Sequence, residues 1–263
     1  MKTSKYKAPK YQAITYYSCP LSLIIGSFFM LTAQALPQHD KAPIADTTVP
    51  AINIKECRLA NYMVEFDLKR GNANVGNATR GLKQLSQSND MSLFSSLTAS
   101  MVFMKFTQKE YSVITNYDDL GFYSSQYIKQ AKKPFKKEEK ETYSVNQMVD
   151  EHPTNLLDPL SVYDHLRELS CSGLRSNITL KVKEKKDIQP YYFEYKGERN
   201  LALPMGPTKT ILFVRTRKTS RRETSIWFNK DYHFLPVKIE QQKDGYSQAV
   251  LTVKSISATK VEF

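Results

Sequence analysis

The stretch Glu223–Glu240, ETSIWFNKDYHFLPVKIE, decides the fold. It holds the single tryptophan, Trp227, in an alternating run where Ile226 and Phe228 face away from Ser225 and Trp227. A polar break at Asn229–Asp231 follows, and then Leu235, Val237 and Ile239 alternate with Pro236, Lys238 and Glu240. Period-two alternation on both sides of a short polar break predicts two paired strands with one buried face. Pro236 has no N–H to give to a ladder, so its position is expected at an edge or a bulge.

Working outward from that hairpin, more alternating runs appear. Asp244-Gly245 is a strong hairpin turn and leads into a last strand over Gln248–Ile256. Upstream, Thr210–Arg217 sets Ile211, Phe213 and Arg215 against Leu212, Val214 and Thr216, Pro190–Tyr195 is aromatic, and Ile178, Leu180 and Val182 alternate with Thr179, Lys181 and Lys183. Near the start, Tyr62, Val64, Phe66 and Leu68 form one face of a strand that turns at Gly71 and returns through Val75–Leu85. Leu93–Phe106 reads as one segment whose apolar part is Val102, Phe103, Met104 and Phe106. Tyr111–Thr115 and Phe122–Ile128 are further strands, and the mixed charge run Lys132–Glu141 reads as a solvated hairpin tip. One helix stands out after Leu157. Asp158 suits an N-cap and Pro159 the first helical position, Val162, Leu166 and Leu169 form one apolar stripe, and Ser172-Gly173 supplies the exit. His165 falls on its polar side. The expected fold is mainly β: a large curved antiparallel sheet or partly open barrel with one short helix packed on it.

The 263-residue chain is long enough for a sizeable core, and its 41% apolar and 24% charged content is ordinary for a globular protein. Its formal charge is +12. Lys2, Lys5, Lys7 and Lys10 precede an apolar run, Leu21–Leu31, and a small-residue site, Ala33-Gln34-Ala35. That order predicts a signal peptide over 1–35, cleaved near Ala35, and a periplasmic destination without a transmembrane span after processing. Residues 36–57 read as a leader and 58–263 as a single β-rich domain. Cys57 and Cys171 remain after cleavage. Either they bridge, which would stabilise by roughly 4 kcal/mol, or they stay two separate buried thiols.

Catalytic patterns are missing from the sequence. No His-Glu-x-x-His, Cys-x-x-Cys, Gly-x-Ser-x-Gly or phosphate loop occurs, so no catalytic residue, metal ligand or cofactor is assigned. The basic cluster Arg215, Arg217, Lys218, Arg221 and Arg222 would project from one end of the sheet. It could meet anionic partners such as lipid or lipopolysaccharide phosphates, or simply keep a sheet edge soluble. Tyr191, Tyr192, Phe193 and Tyr195 put rings on both faces of one strand, and the candidate ligand-binding aromatics are Tyr191, Tyr192, Tyr195 and Trp227. Export argues against nucleic acid as the partner of the basic charge.

Two of these stretches also carry a resemblance. Leu157-Asp158-Pro159-Leu160-Ser161-Val162-Tyr163 with Leu166-Arg167 resembles the helix region of a family of exported bacterial proteins known only as a domain of unknown function, the 3108 family. Ile226-Trp227-Phe228 with Leu235-Pro236-Val237-Lys238-Ile239 is similar to its Trp and Leu-Pro-Val strands, and Phe66–Arg80 to its opening hairpin. Met205-Gly206-Pro207 stands where the family has a glycine-containing turn. The matched residues, Asp158, Pro159, Arg167 and Pro236 among them, read as structural. The resemblance implies an exported, mainly β protein and no particular activity. The expectation is a non-enzymatic envelope module that binds an amphipathic ligand or an envelope partner on its curved sheet. The alternative is a hydrolase acting on cell-wall glycan or peptide, with carboxylates defined only in space.

Overall fold

The computed structural model describes residues 57–260 apart from 86–89, 102, 119–120, 147, 150–151, 154–155 and 218–219. The expected signal peptide, the leader before Cys57 and Lys218 lie outside the described residues. The described residues open with a meander of β1 (Leu59–Arg70), β2 (Ala73–Gln84), β3 (Met91–Met101), β4 (Met104–Asp118), β5 (Gly121–Lys132) and β6 (Glu139–Ser144). Two short strands, β7 (Met148–Val149) and β8 (His152–Pro153), pair only with each other. After the helix α1 (Ser161–Cys171) a second meander runs through β9 (Ile178–Glu184), β10 (Asp187–Leu203), β11 (Gly206–Arg217), β12 (Arg222–Asn229), β13 (Pro236–Lys243) and β14 (Tyr246–Lys260).

The two meanders join because β14 pairs antiparallel with β1, Leu59 opposite Lys260 and Lys69 opposite Val250. The result is one antiparallel sheet of twelve strands, with β6 and β9 as its edges. Those edges face each other across a seam. The Tyr143 hydroxyl on β6 donates to the Lys183 carbonyl on β9 at 3.0 Å. Leu157 pairs in parallel with β9, its N–H donating to the Lys181 carbonyl at 3.1 Å and its carbonyl accepting from Lys183 N–H at 2.8 Å. The sheet is therefore barrel-like without a ladder that closes it.

Antiparallel order puts alternate turns at alternate ends. The turns after β1, β3, β5, β9, β11 and β13 share one end, here called the turn end. The other end carries the chain from β6 into α1 and the β12–β13 turn. The Trp227 hairpin forms as read, Ile226 opposite Ile239 and Trp227 opposite Lys238. Pro236 opens β13 at a bulge opposite Phe228, where no ladder N–H is needed. Asp244 and Gly245 both take positive φ, 54° and 79°, as an Asp-Gly turn requires. The segment Leu93–Phe106 is a hairpin rather than one strand: β3 ends at Met101 and β4 starts at Met104. Apolar Phe103 sits at that turn, exposed, so no Gly or Asn marked the break.

Inward-facing Val64, Phe66, Leu93, Phe193, Phe213, Phe228 and Val237 form one core with Val162, Leu166 and Leu169 of α1. Each such side chain contributes about 1.5–3 kcal/mol of burial. The helix thus lies within the curve of the sheet at the end opposite the turn end. Cys57 and Cys171, 114 residues apart, are bonded and tie the last residue of α1 to the start of β1.

Candidate functional site

The polar half of α1 is as buried as its apolar stripe. Asp164, Arg167, Glu168, Ser161 and Ser170 are all buried, so the helix has no solvated face of the kind its sequence suggested. Asp164 meets the inner faces of β1 and β2 instead. Asp164 accepts from the Tyr62 hydroxyl and from Arg80. Arg80 also donates to the Leu160 carbonyl at 2.7 Å and lies 5.6 Å from the Tyr163 ring centre. Burial works against the Arg80 charge, but Asp164 and Tyr62 outweigh it and hold the guanidinium above its ordinary range. Burial, reinforced by the Asp164 carboxylate, pushes the Tyr62 phenol up. Arg167 donates to the Cys57 carbonyl at 2.9 Å and the His233 carbonyl at 3.3 Å, and pairs with Glu168 at 3.0 Å. His165 is held near pKa 4 by burial of its ring and stays neutral.

Asp158 closes the N-terminus of the same helix. Its Oδ1 accepts the N–H groups of Leu160 and Ser161 at 2.7 and 2.9 Å, and Val162 N–H reaches its carbonyl at 3.1 Å. Those bonds are what an N-cap makes, although regular helix begins only at Ser161. Its Oδ2 accepts from Ser112 on β4 at 2.5 Å and from Ser124 on β5. Burial raises the carboxyl above its usual range against these four hydrogen bonds. Asn146 holds the approach to the helix, donating to the Ser124 and Leu156 carbonyls at 2.7 and 2.8 Å. The whole constellation is enclosed, and its chemistry is that of a bolt joining helix to sheet.

The four candidate aromatics do not form one surface. Tyr191 is buried on the inner face, its hydroxyl on Glu184 and the Arg215 guanidinium 3.0 Å from its ring centre. Tyr195, also inward, packs on Phe213 with ring centres 5.3 Å apart. Tyr192 is exposed on the outer face, where its hydroxyl accepts from Asn177 at 2.8 Å. Trp227 lies outward too, under Lys238 at 4.5 Å. The arginines scatter likewise. Arg215 and Arg217 turn inward, Arg217 pairing with Glu184 at 3.2 Å, because strand parity puts them beside Tyr191. Arg221 projects at the turn end and pairs with Asp244 at 2.8 Å, with Arg222 next to it. Burial, then the Arg217 charge, lowers Arg222 below its ordinary range. Among the described residues no group of three or more His, Cys, Asp or Glu converges as metal ligands would.

An accessible concavity does exist, at the turn end of the seam. It holds about 700 Å³ and is lined from β4, β5, β6 and the β9–β10 turn. Phe106, Ala131 and Tyr143 give it apolar wall, and Lys129, Lys133, Lys140, Lys185 and Lys186 make its charge mainly positive against Glu139 and Glu141. Lys133 pairs with Glu139 at 3.2 Å and Lys185 with Glu141 at 3.9 Å across the seam. Sequence reading assigned none of these residues to a site, because four separate segments supply them. The run Lys132–Glu141 was the one legible signal, and it indeed forms the β5–β6 hairpin tip.

A family model described as a protein of unknown function, DUF3108, matches residues 90–254. Among solved structures, the chain is similar to a β-barrel-like protein of the DUF1849 domain of unknown function from Brucella abortus, at 8% identity and a TM-score of 0.42, covering 76% of this chain and 98% of that one. It is also similar to a protein from Parabacteroides distasonis described as a "putative lipoprotein", at 9% identity and a TM-score of 0.32, covering 78% of this chain and 99% of that one. A search of curated proteins finds no match.

Proposed function

We propose a function for this chain as a member of the DUF3108 family, to which it belongs by the match over residues 90–254: it is a non-enzymatic module of the cell envelope that binds an anionic amphipathic molecule in the cavity at its turn end. In this reading residues 1–35 direct export to the periplasm and are removed near Ala35, 36–57 are a leader, and 58–263 form the binding domain. The cavity carries the proposal. Its volume falls in the range of small-molecule sites, and an apolar wall under a lysine-rich rim suits an acyl chain with a negatively charged head. The opposite end supports the same reading, since the apolar stripe of α1 packs into the core of the sheet there.

Titration with cis-parinaric acid, a fluorescent anionic fatty acid, tests it. Saturable binding is expected, weakened by Lys140→Glu with Lys186→Glu and abolished by Ala131→Trp, which fills the apolar part. Absence of saturable binding, or binding indifferent to Ala131→Trp in a folded variant, refutes the assignment. Lipid mass spectrometry of protein recovered from the periplasm would then identify the native occupant.

A further inference from the structure

The turn end bears a second feature, exposed apolar side chains that do not line the cavity, although Lys185 and Lys186 belong to both. Of the large apolar side chains that the described residues expose, the four most exposed are Phe103, Phe135, Tyr246 and Ile188, at 95%, 94%, 76% and 55%. All four lie at this one end. Phe103 sits in the β3–β4 turn, Phe135 in the β5–β6 tip, Ile188 just after the β9–β10 turn, and Tyr246 just after the β13–β14 turn. The backbone at Phe135 has φ of 60°, a conformation that a bulky residue seldom adopts. Lysines flank these tips: Lys136 and Lys137 follow Phe135, Lys105 follows Met104, and Lys185 and Lys186 precede Ile188.

We propose that the turn end docks on an anionic lipid surface, with Phe103 and Phe135 inserted among the headgroups and the neighbouring lysines against lipid phosphates. Isolated rings on separate hairpins do not make the contiguous patch that a protein partner would cover. A bilayer surface accepts separated tips, favours aromatic rings at headgroup depth and attracts clustered basic residues. The inference rests on the cavity reading in one respect: it makes the bilayer the source of the amphiphile, because the cavity opens at the same end. The two can fail separately, since neither phenylalanine lines the cavity.

Co-sedimentation of the full chain with vesicles tests it at about 0.15 M salt. One set is pure phosphatidylcholine and the other contains about 30% phosphatidylglycerol. Any contribution of the apolar run Leu21–Leu31 is common to all variants. Binding to the anionic vesicles is expected, with Phe103→Ser plus Phe135→Ser about tenfold or more weaker, and with parinaric acid binding unchanged. Equal partition onto both vesicle types, no partition, or full partition of the double variant overturns the proposal. As an independent readout, Phe103→Trp should gain a blue-shifted emission component on anionic vesicles, and an unshifted spectrum overturns it as well.

Discussion

Asp164→Asn should be one of the costliest single changes in this protein. The carboxylate accepts from Tyr62 and Arg80, and Arg167 Nε lies 3.9 Å away. Both arginines are buried, so the substitution leaves cationic groups in the interior without their anion. Removing one partner of a buried pair costs about 3–5 kcal/mol. Arg167 keeps Glu168 at 3.0 Å, so the loss falls mainly on Arg80 and the lower part of that range, about 3 kcal/mol, is expected. Since a domain of this kind has about 5–15 kcal/mol in total, the folded population drops measurably. The triple variant Tyr62→Phe, Arg80→Met, Asp164→Leu removes the charges and the hydroxyl together. Apolar replacement of a whole buried pair is often neutral or better, so it should regain most of the loss. Urea unfolding, followed by Trp227 fluorescence and far-UV circular dichroism with coincident transitions, measures both. A cost below about 1 kcal/mol for Asp164→Asn, or a triple variant less stable than the single one, would refute the view that this network holds the helix to the sheet.

Three more outcomes follow from the same geometry. His165 drops from 6.5 to about 4 on folding, so the unfolded chain binds the extra proton between those values and stability falls as pH is lowered through that window. The loss should be on the order of 2 kcal/mol, and His165→Asn should flatten the pH profile of unfolding between pH 6.5 and 4. Asp158 shifts the opposite way: its folded form favours the proton, so above the ordinary aspartate range stability falls as pH rises towards the raised value. Asp158→Asn should remove that slope and keep the helix, whereas Asp158→Ala should cost about 2 kcal/mol or more in urea unfolding, since it strips the cap and leaves Ser112 and Ser124 without their acceptor. A Cβ on Gly76 would lie 1.9 Å from the Thr98 carbonyl oxygen, while one on Gly71 meets nothing within 4 Å. Gly76→Ala should therefore lose clearly more than Gly71→Ala, whose positive φ alone costs about 1 kcal/mol; equal unfolding midpoints would contradict this packing.

Features written into neighbouring residues were legible in the sequence. The Ile226–Phe228 alternation, the Asp244-Gly245 turn, the Asp158 cap and the Pro236 bulge each need only a few adjacent positions. Pairing of β1 with β14 was not legible, because nothing local says which strands close a curved sheet. The β3–β4 turn was missed because its residues are apolar, Phe103 among them, where a turn normally shows Gly, Asn or Asp. The polar side of α1 looked solvated because its partners, Tyr62 and Arg80, lie about eighty to a hundred residues away, at separations of 102 and 84 from Asp164. Arg215 and Arg217 read as a projecting tip, and only strand parity beside Tyr191 turns them inward. The cavity needed the two edges of the sheet brought together, which is a property of the fold and not of any segment.

The central claim is that the turn end takes the ligand while the helix end is structural. A two-dimensional NMR titration of the protein with sodium laurate tests it most directly. The account predicts shifts concentrated on Phe106, Ala131, Tyr143 and Lys186, with the resonances of Ser161–Cys171 unmoved. Shifts centred on that helix, or a spectrum that laurate leaves unchanged, would contradict it.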